Sequence, residues 1–330
     1  MKALIQKLVE AIGPSGYEDA VRQIVLDEVK PLADDVRVDA LGNLIVRKGQ
    51  QSEHGQRILL AAHLDEIGII ATHIEDNGFV RFTNVGFVRS LANVAGRVRF
   101  LNGVQGLVAV DQDSATSLPG LDKLFIDVGA TSRADCPVKV GDVAAFERPF
   151  LELGDRLVAK SMDNRISVAI LIETLRGLTE TPHEVNFVFS VQEEVGTRGA
   201  TTAAYAIDPD IALAVDVTMT GDTPKAAKMA VSLGKGPAIK VRDSGMLADP
   251  RLVRAMVATA EQAGLPYQME VLDGGSTDAR AMQLARGGVP AGCVSIPCRY
   301  VHSPSEMVDY HDVQNAVQFL IRLLSRPIQL

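Results

Sequence analysis

The chain has 330 residues, of which 47% are hydrophobic, and carries a formal net charge of −8 at pH 7. A nucleic-acid-binding protein needs a basic face against the phosphates, so this acidic balance argues against nucleic-acid partners. Aromatic residues make up 5% of the sequence, with no tryptophan, which argues against an aromatic-lined sugar groove. The odd cysteine count of 3 gives no disulfide framework and favours a cytoplasmic location.

The N-terminal segment is predicted to form two helices followed by short strands. Apolar residues at helical spacing within residues 1–10 predict an amphipathic helix rather than a signal peptide. The turn-forming sequence Gly-Pro-Ser-Gly at 13–16 ends it, and a second helix is expected at 18–32. Strands are expected at 35–39, 43–47 and 57–62. No apolar run approaches the roughly 18–20 residues that span a bilayer, so no membrane association is expected.

The middle of the chain has a different pattern. Between 68 and 156, short strand-like runs alternate with Gly, Asn and Asp turns, which predicts a small β-barrel or sandwich. Helices and strands then alternate again, as is typical of an α/β sheet. The sequence therefore predicts one α/β domain formed by 1–67 and 157–330, interrupted by an inserted β domain at 68–156.

Five potential metal ligands are spread along the chain, and four of them lie near the C-terminal ends of predicted strands. They are His63, Asp163, Glu194, Asp216 and His302. Because ligands bind at the carboxyl ends of strands in open α/β sheets, we expect these side chains to converge. Two histidines and three carboxylates suit a pair of divalent metals that share one carboxylate.

Two short motifs place further carboxylates next to these candidate ligands. Asp65 follows His63 by two residues and could accept the second ring N–H of a metal-bound histidine, although a structural His–Asp pair is an alternative. Glu193 precedes Glu194 beside an apolar strand, where one acid can bind metal while the other acts as a general base. An exposed acidic turn is the alternative for that pair.

The remaining three candidates also have simpler alternatives. Asp163 lies at a predicted helix start, so it could be a helix N-cap rather than a bridging ligand. Asp216 ends an apolar run and could be a turn residue, and His302 lies in a loop that suits either role. No single residue establishes a metal site, but the five candidate ligands together supply two full ligand sets around one shared carboxylate.

These motifs, in this order, closely resemble the dinuclear metallo-aminopeptidase family that includes glutamyl aminopeptidases, deblocking aminopeptidases and the tetrahedral (TET) peptidases. The likeness spans nearly the whole chain. It is carried by Gly-Pro-Ser-Gly-Tyr-Glu at 13–18, Ala-His-Leu-Asp-Glu-Ile-Gly at 62–68, Asp-Asn-Arg at 163–165, Glu-Glu-Val-Gly at 193–196, Val-Asp at 215–216, Gly-Gly-Ser-Thr-Asp-Ala at 274–279 and Arg-Tyr-Val-His-Ser-Pro-Ser-Glu at 299–306.

The resemblance implies a role for each candidate. Asp163 would bridge the metals, with His63 and Asp216 completing one site and Glu194 and His302 the other. Glu193 would be the general base, and Asp65 would support His63. The resemblance further implies a phosphorylase/hydrolase-like zinc-peptidase fold, an α/β/α sandwich with a small β-barrel used for dimerisation. It also implies two zinc or cobalt ions per subunit and assembly into dimers or a hollow dodecamer.

The predicted function is a metal-dependent aminopeptidase that acts on short peptides. A deacylase or carboxypeptidase with the same metal core is an alternative. An endoglucanase is a further alternative, because members of the family often carry that label. However, Glu193 and Glu194 on one strand could not flank a sugar as glycosidase carboxylates do. A catalytically silent assembly protein is the alternative from a different class.

Overall fold

A computed structural model describes residues 1–112 and 119–330 of the chain, so residues 113–118 of the predicted insert lie outside the described part. The first segment contains α1 (Lys2–Glu10), α2 (Asp19–Val29), β1 (Asp35–Val38), β2 (Leu44–Lys48) and β3 (Arg57–His63). The middle segment contains β4 (Gly68–Ile74), β5 (Val80–Val85), α3 (Ser90–Asn93), β6 (Arg97–Phe100), β7 (Gln105–Val110), β8 (Leu124–Asp127) and β9 (Val143–Glu147).

The C-terminal part of the chain contains the longest helices. Its elements are β10 (Leu151–Leu153), β11 (Arg156–Ala159), α4 (Met162–Gly177), β12 (Glu184–Ser190), α5 (Arg198–Ile207), β13 (Ile211–Thr218), β14 (Ala238–Arg242), α6 (Pro250–Ala263), β15 (Gln268–Val271), α7 (Asp278–Gln283), β16 (Ala291–Arg299), β17 (Glu306–Asp309) and α8 (Tyr310–Leu324). None of the described helices is long and apolar enough to cross a membrane.

The main sheet has eleven strands within the described ranges, with the path β1-β2-β12-β3-β13-β16-β17-β11-β10 and with β14 and β15 branching from β16. Its centre is a run of four mutually parallel strands, β12, β3, β13 and β16. Parallel strands need cover on both faces, which explains why these four consist mostly of buried apolar residues.

Alternate residues of the central strands pack on opposite faces of this sheet. In β3, Ile58, Leu60 and Ala62 belong to one hydrophobic cluster, whereas Leu59 and Ala61 belong to another. Helices α1, α2, α4, α6 and α8 cover the first face, and α5 and α7 cover the second. The two-residue repeat of a strand produces this division. The predicted α/β/α sandwich is confirmed.

Strands β4 to β9 close into a separate barrel with the order β4-β5-β8-β7-β6-β9. Its interior is filled by alternate residues, such as Val98 and Phe100 of β6 and Val108 of β7. The predicted β-barrel is therefore present. The domain boundaries at 68 and 156 stay a prediction, and β10 within that range pairs with β11 of the main sheet.

Candidate metal centre

The four parallel strands bring four of the predicted ligands to one edge of the sheet. His63 is the last residue of β3, and Asp216 lies two residues before the end of β13. Glu194 follows the end of β12, and His302 follows the end of β16. Since the strands run in parallel and lie side by side, their C-terminal ends place these side chains together, as the sequence predicts.

Asp163 enters the same space from the start of α4, and its carboxylate lies between the two histidines. Its Oδ1 is 3.1 Å from Nε2 of His63, and its Oδ2 is 3.3 Å from Nε2 of His302. Its backbone is not helical, with φ −74° and ψ 101°, and the N-cap position of α4 is occupied by Ser161 instead. The N-cap role that the sequence left open is therefore not the one the side chain adopts.

The ligand atoms form two groups that share Asp163. One group comprises His63, Asp163 and Asp216, and the other comprises Asp163, Glu194 and His302, with the ligand atoms of each group within 4.8 Å of one another. Asp216 Oδ1 lies 3.8 Å from His63 Nε2, and Glu194 Oε2 lies 3.3 Å from His302 Nε2. This is the partition that the resemblance implies.

Glu193 belongs to neither group but lies beside the first. Its Oε2 is 4.0 Å from Nε2 of His63, and its side chain is 12% exposed. Burial raises the pKa of Glu193 well above the usual range, and the nearby charge of Asp216 adds to the rise. A buried carboxyl with a raised pKa is suited to exchanging a proton.

The buried carboxylates of this cluster would be stabilised by a nearby positive charge. Burial raises the pKa of Asp216 well above the usual carboxyl range. Burial also raises the pKa of Glu194. Burial alone would lower the pKa of His302, but hydrogen bonds with Asp163 and Glu194 raise it to about 11. Crowded carboxylates in a dry site are costly unless a cation compensates them, and divalent metals supply that charge.

The donor set fits such ions. Glu194 Oε1 is buried and has no hydrogen-bond partner among the described residues, so one lone pair of the second group is free to ligate. Carboxylate oxygens and imidazole nitrogens are the ligands that zinc and related divalent metals prefer.

Asp65 contacts both His63 and the turn that carries Glu193 and Glu194. Nδ1 of His63 lies 3.3 Å from Oδ1 of Asp65. The backbone N–H groups of Glu193 and Glu194 donate to the two Asp65 oxygens at 3.0 and 3.1 Å. Nδ1 of His63 also lies 3.1 Å from the backbone carbonyl oxygen of Asp65, so this buried residue contacts both the histidine and the turn that carries the two glutamates. The supporting role of Asp65 stays a prediction.

Two more residues, Ser15 and Glu306, make hydrogen bonds at this site, and the sequence assigns neither of them a role. Ser15 Oγ donates to Asp65 Oδ2 at 2.6 Å. Glu306 accepts from the backbone N–H of Asp163 at 2.9 Å and from that of His302 at 2.7 Å. Both lie in motifs that carry the resemblance, but a serine in a turn and a glutamate at the start of a short strand have no spacing signal of their own.

A cavity of ≈530 Å³ opens onto the cluster. Part of its wall comes from the loop after β5, where the Phe87 ring lies 5.8 Å from the His302 ring. Gly86 has a φ of +76°, and a Cβ there would lie 3.1 Å from the Cβ of Glu194. The barrel loop can therefore approach the second ligand group closely. The buried Lys240 also lines this cavity, with Nζ 3.3 Å from Glu270 Oε1.

Comparisons with known proteins agree with this architecture. The model of the M42 glutamyl aminopeptidase family matches residues 42–319. A lysyl aminopeptidase of Pyrococcus furiosus is 35% identical, over 97% of this chain and 96% of its own length. The solved structure of an aminopeptidase from the archaeon Desulfurococcus kamchatkensis has a TM-score of 0.94 and 40% identity, and the match covers 98% of this chain and 94% of that one.

A third match is the TET1 peptidase of Pyrococcus horikoshii, whose structure is described as assembling into a tetrahedron or a large octahedral shell. It has a TM-score of 0.87 and 33% identity, with 98% of each chain covered. The family resemblance and the peptidase activity predicted from the sequence are thereby confirmed. This chain belongs to the M42 glutamyl aminopeptidase family and is a peptidase.

Proposed function

We propose that the protein is a dinuclear metal-dependent aminopeptidase that removes N-terminal residues from short peptides. The observation that supports this most directly is the pair of ligand groups that share Asp163. A second support is Glu193, a largely buried carboxyl that lies 4.0 Å from His63 and belongs to neither group. A purely structural acidic cluster would not require an unshared base at this position.

The chain's own residues suit hydrolysis. When bound, a pair of divalent metals polarises a carbonyl and lowers the pKa of water. Glu193 accepts the proton of the attacking water and delivers it to the leaving amine. Asp65 holds His63 and the Glu193 turn in fixed relation, so the base and the ligands keep their separation. The free N-terminus of the peptide is recognised at the same carboxylate-rich site.

The ions proposed are zinc or cobalt, because His and carboxylate ligands suit both. We further propose a cytoplasmic homo-oligomer, with dimers formed through the barrel or a hollow dodecamer. Exposed apolar residues on and beside the barrel, including Leu107 and Val140, support contact between subunits there. Light scattering of the purified protein tests this proposal, and a monomer at all concentrations would contradict it.

A substrate panel tests the proposed function. The metal-loaded protein is expected to release the first residue of unblocked peptides and of aminoacyl p-nitroanilides. N-acylated peptides and carboxymethylcellulose are expected to remain intact. Preferred cleavage of N-acyl bonds would favour the deacylase alternative, and release of C-terminal residues would favour the carboxypeptidase. Cellulose hydrolysis that survives chelation would contradict the metallopeptidase assignment.

Replacing Ser15 with Ala is expected to weaken metal binding by about 10-fold, the low end of the effect of losing a partner behind a ligand, because Ser15 contacts Asp65 and not a ligand. The hydroxyl donates to Asp65, and without it the carboxylate that orients His63 has one hydrogen bond fewer. Calorimetric titration of the metal-free protein measures the change. The exposed Ser52, changed to Ala, is the matched control. Metal affinity equal to that of the wild type would rule out the role given to Ser15.

A further inference from the structure

We propose that a groove between α5 and α7 binds the part of a peptide substrate that lies on the C-terminal side of the scissile bond. This inference rests on the proposed aminopeptidase function. The class of substrate it favours is an unblocked peptide with apolar side chains in the positions that follow the bond to be cleaved.

The groove is a cavity of ≈540 Å³ that adjoins the catalytic cavity. Gly196, Thr197 and Arg280 line both cavities. Gly196 and Thr197 belong to the turn that follows the two glutamates, and their backbone N–H groups donate to the carbonyl of Glu193 at 2.8 and 2.9 Å. The boundary between the two cavities is thus the turn that carries the base.

The direction of a peptide substrate decides what the groove can hold. An aminopeptidase substrate has one residue before the scissile bond and the rest of the chain after it. The catalytic cavity contains the ligand groups and Glu193, so the first residue and the scissile bond lie there. A second cavity of similar volume adjoins the turn that carries Glu193, and we assign it to the longer, leaving portion of the peptide.

The wall of the groove combines large apolar side chains with threonines and arginines, and two packed helices support it. Tyr205 of α5 is 61% exposed and Leu284, just after α7, is 75% exposed, and both line the groove. Exposed large apolar side chains that line one concavity indicate a binding surface. Beneath them the two helices pack through small buried residues, Ala200, Ala203, Ala204 and Ala279.

An arginine lies at each end of the groove. At the far end the Arg286 guanidinium lies 4.4 Å from the Tyr205 ring centroid, and its Nε donates to the Tyr205 carbonyl at 2.8 Å. At the near end Arg280 stands in the shared wall, and a Cβ on Gly245 would lie 2.6 Å from its Cδ. The stem of Arg280 is therefore packed, and its guanidinium can donate to peptide carbonyls or to a terminal carboxylate.

The test compares two substrates that share their first residue, chosen as the one the wild type cleaves best. One is the aminoacyl p-nitroanilide, and the other is an unblocked tetrapeptide with phenylalanine in its last two positions. Leu284→Ser and Tyr205→Ser are each expected to lower kcat/KM for the tetrapeptide by about tenfold, as loss of one apolar contact predicts. The p-nitroanilide carries only one aniline ring after the scissile bond and none of the later residues, so its kcat/KM is expected to fall by much less than that of the tetrapeptide.

Leu153→Ser is the control, because Leu153 is 51% exposed on β10 at the far edge of the main sheet. It should change neither rate. Equal tetrapeptide rates in the wild type and both groove variants would overturn the proposal. A changed preference among p-nitroanilides with different first residues would also overturn it, since the groove would then hold the first side chain. A wild type that cleaves neither substrate would instead refute the proposed function itself.

Discussion

Glu193→Gln is expected to lower kcat by about 10²- to 10⁴-fold, the usual contribution of a positioned general base. The amide has nearly the same shape as the carboxyl but cannot accept the proton of the attacking water. Glu193 is a member of neither ligand group, so the variant should bind the same amount of metal as the wild type. Steady-state kinetics and elemental analysis of the same preparation measure both quantities.

The control for this substitution is Glu53→Gln, which makes the same chemical change at an exposed loop position. It should leave both kcat and metal content unaltered. If Glu193→Gln turned over peptides at the wild-type rate, the base would have to be another group. If it lost metal, Glu193 would be a ligand instead.

Asp163→Asn is expected to weaken the binding of both ions by more than about 100-fold, since even partners behind the ligands cost 10- to 100-fold when removed. Each of its two oxygens faces a different histidine, so the amide can serve at most one group well. Asp216→Asn should affect one ion only, because Asp216 belongs to one group. Metal content after dialysis, determined for each variant, separates the two expectations.

Asp76→Asn supplies the matched control, because the Asp76 side chain is almost fully exposed. It should retain wild-type metal content. Loss of a single ion from Asp163→Asn, with the second retained at full affinity, would argue against a shared carboxylate. The two groups would then be independent sites that merely lie close together.

Much of the metal centre could be predicted because its ligands follow strong local signals. His63 ends a run of buried apolar residues, and Asp216 stands within another, so both are tied to the C-terminal edge of a parallel sheet. Asp163 was the weakest of the predictions from residues alone. An acid at a helix start has two ordinary roles, and only the neighbouring histidines distinguish them.

Other parts of the site depend on contacts between distant segments, which no local pattern encodes. Ser15 reaches Asp65 because the turn after α1 pairs with the segment after β3, through the bridge between Pro14 and Glu66. Phe87 reaches His302 only because the barrel closes and presents its loop to the sheet. Such contacts follow from tertiary packing rather than from periodicity.

Prediction of the fold from local sequence patterns is limited in the same way. The sequence predicts long helices and apolar strands within a few residues, as for α2, expected at 18–32 and observed at Asp19–Val29, but it does not predict α3 at Ser90–Asn93. A helix of one turn has too few residues for a periodic signal. Closure of the barrel rests on the pairing of β4 with β9, which the turn signals of the intervening sequence do not specify.

We propose that two ions, held around Asp163, are required for peptide hydrolysis. The most direct measurement is a titration of the chelated protein with zinc or cobalt, with bound metal and aminopeptidase activity recorded at each step. We predict no activity in the metal-free protein and full activity at two equivalents per chain. Full activity in the metal-free protein, or at one equivalent with no further binding, would show that hydrolysis does not require a pair of ions.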